Sequence, residues 1–118
     1  MQRPGYHRDQ LQVEVAMVRL VVHVIGVDPA TRREISLAKI ESDRFDPDHL
    51  DAQVSVALDS ACATVKGANL GSLRAWQPEV SAVLTAAEEK IRPSLHMTVE
   101  TLQRLVEAGA SFDFDPYV

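Results

Sequence analysis

Apolar and polar positions along this chain change period several times, and each period predicts an element. Leu11 to Val27 holds eight β-branched residues in seventeen positions: Val13, Val15, Val18, Val21, Val22, Val24, Ile25 and Val27. Such side chains are stiff at χ1 and pack well on a pleated surface, so the segment reads as one long strand, with a helix as the alternative. Its apolar phase runs through Leu11, Val13, Val15 and Met17 and then shifts to Leu20, Val22 and Val24. A slip of one residue in a period of two places a bulge near Val18 and Arg19. Asp28-Pro29-Ala30-Thr31 carries turn chemistry, because Asp bonds its own downstream backbone and Pro presets φ. A hairpin follows. It returns through Glu34 to Glu41, where Ile35, Leu37 and Ile40 alternate imperfectly and fit a short helix equally well.

From Leu50 the apolar residues Val54, Ala57, Leu58, Ala61, Cys62 and Val65 fall on one helical stripe, with Asp51, Asp59 and Lys66 off it. Asp46 is placed as N-cap, Pro47 at the first helical position, and Gly67 to end the helix in a left-handed conformation. A loop spans Asn69 to Gln77. Pro78 to Lys90 then fits a helix through Val80, Val83, Leu84 and Ala87 or a strand through Val80, Ala82, Leu84 and Ala86. The last segment has Thr98 as N-cap, apolar Val99, Leu102, Leu105 and Val106, and Gly109 as terminator. Phe112 and Phe114 alternate with Asp113 and Asp115 after it, the pattern of an edge strand.

Residues 95 to 117, LHMTVETLQRLVEAGASFDFDPY, resemble the closing signature of a small bacterial domain-of-unknown-function family, number four-two-seven-nine. That family ends in an apolar-polar stretch, a helix, a glycine and a strand with alternating Asp before a terminal Tyr. The resemblance covers about a fifth of the chain. It implies a strand before the signature, which turns the reading of 79–87 from helix to strand, and a two-layer α+β sandwich. It also implies an immunity-protein role, since some members look like immunity proteins against secreted toxins. It carries over no catalytic residue. The expected fold is an α+β two-layer sandwich, its antiparallel sheet built from the N-terminal hairpin, 79–87 and the C-terminal strand, packed on helices near 48–66 and 98–108. An all-α bundle is the alternative.

Composition narrows the function. The 118 residues are 46% apolar and 25% charged, which suits one soluble domain, with residues 1–10 expected as a flexible N-terminal segment. The net charge of −5 disfavours nucleic acid as a partner, since neutralising phosphates needs clustered Lys and Arg. Cys62 is the only cysteine, so neither an intramolecular disulfide nor a thiolate-rich metal site is available from this chain. Glu14, Arg19 and His23 interrupt the apolar run from Leu11, against a signal peptide or membrane span; the expected location is cytoplasmic.

The densest chemistry is residues 41–51, with Glu41, Asp43, Asp46, Asp48 and Asp51 around His49. Carboxylates complement a helix N-terminus, and the spacing lacks the glycine and distal Glu of a calcium loop. His7, His23, His49 and His96 show no metal-binding spacing, and the glycines of KGANLG lack a phosphate-binding lysine-hydroxyl pair. No catalytic residue, metal or cofactor is expected. The expected function is a non-enzymatic, immunity-like protein-interaction module that meets a basic protein partner through Glu41, Asp43, Asp46, Asp48 and Asp51, with Trp76 as an aromatic anchor. One alternative is a small-molecule binder or hydrolase with His23, Asp113 and Asp115 in a pocket between sheet and helices. Another is a homo-oligomer, a homodimer for example, formed by pairing the edge of strand 11–25 with its copy.

Overall fold

Residues 19–27 of the valine-rich segment form an inner strand of a four-stranded sheet. The computed structural model describes residues 19–44, 47–85 and 96–117. Along them run β1 (Arg19–Val27), β2 (Glu34–Ser42), helix α1 (Pro47–Thr64), a 3-10 helix (Leu70–Trp76), β3 (Glu79–Thr85), helix α2 (Val99–Ala108) and β4 (Ser111–Tyr117). The sheet order is β2-β1-β3-β4. The expected N-terminal segment 1–10, the strand reading of 11–18 and the cap at Asp46 lie outside the described residues. Among those described, no helix is long and apolar enough to cross a membrane.

Alternation on β1 decides the layering. Leu20, Val22 and Val24 are fully buried, and the intervening Val21, His23 and Ile25 are only half-buried on the opposite face. Val80, Ala82 and Leu84 of β3 join the first set, together with Leu50, Val54, Ala57, Leu58 and Ala61 of α1, in one apolar cluster. Burial of a Leu or Val side chain is worth about 1.5–3 kcal/mol, so this single interlayer core is what holds helix to sheet. Segment 79–85 forms a strand because it pairs on both sides, antiparallel to β1 and parallel to β4. The helical reading of it would have left the sheet without that strand.

Two expectations about the sheet are corrected. It is mixed rather than antiparallel throughout: β1 pairs antiparallel with β2 and β3, but β3 and β4 run parallel, because the chain returns to the start of the sheet through α2. The expected bulge near Val18 and Arg19 falls largely outside the described residues, and the register shift that is described lies at Val24/Ile25, which pair with Ala38 and Ser36. Leu37 is the extra residue. That explains the imperfect alternation of β2, where Leu37 and Ala38 are both buried and the inward phase changes from Ile35 to Ile40.

The turns follow local chemistry. Asp28 Oδ1 accepts the N–H of Ala30 at 2.8 Å, as the Asp-Pro sequence implied. Gly109 terminates α2 with φ 66°, also as expected. At the end of α1, however, the left-handed residue is Lys66, with φ 58°, and not Gly67. The N–H of Gly67 reaches back to Cys62 O at 2.9 Å and that of Lys66 to Ala63 O at 3.0 Å, a Schellman pattern shifted by one residue. Gly67 is required for a different reason, since a Cβ there would lie 2.5 Å from Ser72 Cβ. Where sequence gave only a loop, the 3-10 helix buries Leu70 and Leu73, which its three-residue period places one above the other.

Gly67→Ala is therefore expected to lower stability in urea unfolding by about 1–3 kcal/mol through overpacking against Ser72. Lys66→Gly, which relieves a left-handed non-glycine residue, is expected to be neutral or stabilising by up to about 1 kcal/mol.

Candidate functional site

Helix α2 is where sequence pattern and tertiary placement disagree most. Its apolar residues predict an inward stripe through Val99, Leu102, Leu105 and Val106. The structure buries Leu105, but with Thr101 and Ala108, and leaves Val99 68%, Leu102 48% and Val106 70% exposed. Spacings of three and four put these three in one line along the helix. Glu100, Gln103 and Glu107 are exposed on the same helix.

Polar contacts at both ends fix this rotation. Thr98 caps the N-terminus, its hydroxyl accepting the N–H of Thr101 at 3.2 Å. Asp51 of α1 accepts the N–H of Thr98 at 2.9 Å, and the Thr98 hydroxyl lies 3.3 Å from both of its carboxylate oxygens. At the other end, Arg74 of the 3-10 helix donates from Nε to Glu107 O at 2.9 Å and from Nη2 to Val106 O at 2.8 Å. A cation on the last carbonyls satisfies acceptors that have no partner within the helix and complements its dipole. Between these ends Arg104 is paired with Asp59 of α1.

The expected acidic site is only partly a free surface. Glu41, next to the last residue of β2, is held by Arg19 in an exposed ion pair, with Lys39 Nζ 3.9 Å away. Asp43 and Asp48 are exposed, Asp48 in the first turn of α1. Asp51 faces Thr98, as above. Asp46 lies outside the described residues. Trp76 is not brought to this cluster: it packs partly buried against the core beside Gly26, at the hairpin end of the sheet. Gly26 is paired with Ile35, and from there to Glu41 the strand runs about 20 Å.

Sequence reasoning missed one polar pair here. Ser42 Oγ lies 2.7 Å from His49 Nε2 and also accepts the N–H of Arg44 at 3.1 Å. Seven residues separate the two in sequence. They meet because β2 ends with Ser42 pointing, like its partner Leu20, to the helical side of the sheet. The pair ties the end of β2 to the first turn of α1. Gln53 extends it, its Nε2 3.5 Å from His49 Nε2.

The pocket expected for His23, Asp113 and Asp115 is corrected by the register. All three project from the face of the sheet opposite the helices, and the layer between sheet and helices is the apolar core. His23 and Asp113 are separated by β3, about 10 Å, and His23 Nε2 pairs in the other direction with Ser36 Oγ at 2.8 Å. The dimer expected from pairing the edge of strand 11–25 is corrected over residues 19–25, which have β2 on one side and β3 on the other and present no edge; residues 11–18 lie outside the described residues.

An open groove of about 440 Å³ lies between the C-terminal half of α1 and α2, lined by Asp59, Cys62, Asn69, Arg104 and Glu107 among others. Its thiol is used locally, with Cys62 Sγ 3.3 Å from Asn69 O. Among the described residues no three of His, Cys, Asp or Glu are gathered to hold a metal ion. No family model, curated protein or solved structure matches this chain.

Arg74→Met, which keeps the aliphatic stem and removes the cap, is expected to cost about 1–2 kcal/mol in urea unfolding. Hydrogen exchange is expected to quicken at the amides of α2 and to leave those of β1 unchanged.

Proposed function

We propose that this chain is a non-enzymatic protein-interaction module whose partner lays a basic, amphipathic segment along α2. The observation that carries this reading is the line Val99, Leu102 and Val106 on the outside of a helix whose ends are fixed by polar contacts. Exposed aliphatic residues set in a contiguous line and rimmed by polar groups are the mark of an interaction surface. The rim supplies the sign of the partner. Glu100 and Glu107 lie on α2, and the Asp51–Thr98 contact brings the acidic start of α1, with Asp48, to the same end as Val99. A second copy of α2 laid against this stripe would oppose carboxylates with carboxylates, whereas a partner bearing Lys or Arg gains from them.

In this reading the carboxylates steer the encounter and the aliphatic stripe provides the bound-state contact. The resemblance of residues 95–117 to a family with immunity-like members supports the same class of function, since the stripe lies within that segment.

The test is capture on the immobilised chain followed by interferometry on the protein retained. Replacing both Leu102 and Val106 by Gln leaves the fold intact by circular dichroism, since neither is buried. It is expected to weaken binding by about 30-fold or more, the scale of one hot-spot residue. Association is expected to slow several-fold between about 50 and 300 mM salt. A partner held equally well by the double variant, or at a rate indifferent to salt, overturns the reading.

A further inference from the structure

Helix α2 stands in a rotation that its own side chains disfavour. Val99, Leu102 and Val106 face water, while an inward position goes to Thr101, which is polar. Arg104 Nε is buried with no acceptor among the described residues, a donor that has lost water without a replacement. Successive residues of a helix lie about 100° apart around its axis. The present inward direction, through Thr101, Leu105 and Ala108, is therefore about a quarter turn from the one shared by Leu102, Leu105 and Val106.

Three polar contacts hold the helix where it is: Asp51 on Thr98, Asp59 on Arg104, and Arg74 on the carbonyls of Val106 and Glu107. We propose that α2 is a two-position helix. Held, it shows the line Val99, Leu102 and Val106 to solvent. Released, it rotates by about a quarter turn on its axis and closes Leu102 and Val106 against α1 and the 3-10 helix.

The placement of residues around the helix suits the second position. The rotation that brings Leu102 and Val106 inward keeps Leu105 in contact and carries Glu100, Arg104 and Glu107 to the outside, so it buries no charge. It also returns Arg104 Nε to water. Space lies on the flank that receives Leu105. Arg104 and Glu107 now stand beside the open groove between α2 and α1, whose lining also includes Cys62, Ala63 and Leu70. After the rotation Leu105 stands close to the present place of Arg104, against these apolar groups. At its C-terminal end the helix is joined to β4 by Gly109 and Ala110 alone, and glycine is the residue best able to absorb the change in φ and ψ.

The two positions oppose polar contacts to apolar burial. One of those contacts is weak, since the side chains of Arg104 and Asp59 are 32% and 67% exposed, where water screens an ion pair. The rotated helix hides the stripe. A partner bound to Val99, Leu102 and Val106 therefore selects the held position, and loss of a holding contact weakens that partner from a distance. This consequence alone rests on the reading of the stripe as a binding surface.

Thiol labelling of the full chain reads the rotation without any partner, so the rotation and the binding surface can fail separately. In a Cys62→Ala background, Val106→Cys and Thr101→Cys each introduce one thiol, at positions that are 70% and 3% exposed. Removing the holding contacts together, by Asp51→Ala, Asp59→Ala and Arg74→Met, is expected to slow labelling at position 106 by about tenfold or more and to speed it at position 101 by about tenfold or more, because labelling follows exposure. Arg74→Met alone is expected to move both rates in the same directions by about two- to threefold. Adding Leu102→Gln to the triple variant lessens the apolar gain and is expected to return position 106 to within about threefold of the parent. Rates that rise together at both positions, in the triple variant and in Arg74→Met alone, overturn the proposal, since the helix then leaves the core instead of rotating on it. A rate at position 106 that release leaves unchanged overturns it as well.

Discussion

The two polar clamps on α2 are the constraint on which the exposed surface of the molecule depends. A ten-residue helix has little stability of its own in water, because few hydrogen bonds repay its nucleation. Here the backbone groups left over at each end are taken up by the helix's own cap Thr98 and by two distant partners, Asp51 at the start and Arg74 at the finish. Those contacts have direction, and apolar burial does not. They set the rotation of the helix about its own axis, and with it the choice of Thr101, Leu105 and Ala108 as the inward residues. Full burial of Val99, Leu102 and Val106 would have been worth roughly 1.5–3 kcal/mol each, a gain the fold forgoes. A sequence that departs from local consistency in this way commonly does so at a site of function.

The same clamps complete the sheet. By fixing α2 against α1 and the 3-10 helix they bring the chain back to the start of β3, where the N–H of Ser111 bonds to Pro78 O at 3.1 Å and β4 enters parallel. β1, paired on both sides, then carries the core on one face and a mixed polar and apolar surface on the other. The bulge at Leu37 lets β2 follow β1 while adding a second consecutive inward residue over α1, without which Leu37 would face outward or Ala38 would not be buried.

Much of the acidic chemistry has structural duties within this frame. Glu41 belongs to an ion-pair cluster with Arg19 and Lys39, Asp51 holds the start of α2, and Asp59 pairs with Arg104. Ser42 and His49 connect strand to helix. The carboxylates left facing solvent, Asp43, Asp48, Glu100 and Glu107, lie in the β2–α1 connection, the first turn of α1 and on α2. The described surface thus sets charge beside exposed aliphatic groups, and the layer between sheet and helices is filled by apolar side chains.

Sequence alone determined the elements with a strong local signal. The stripe from Leu50 to Val65, the Asp28 turn, the Thr98 cap and the Gly109 stop are each written in residues a few positions apart, whose geometry fixes their meaning without the rest of the chain. The α+β class rested in addition on the β-branched run from Leu11 to Val27 and on what the resemblance of residues 95–117 implies. Periodicity left 79–85 open between helix and strand, the resemblance turned the reading to a strand, and pairing with β1 and β4 makes it one; tertiary structure alone decided that β4 lies parallel, that Lys66 takes the left-handed turn beside a crowded Gly67, and which side of α2 faces water. In each case the deciding partner is distant in sequence: β1 for β3, Ser72 for Gly67, Asp51 and Arg74 for α2. Periodicity records that a helix has an apolar side; only contacts made across the fold determine whether that side is buried.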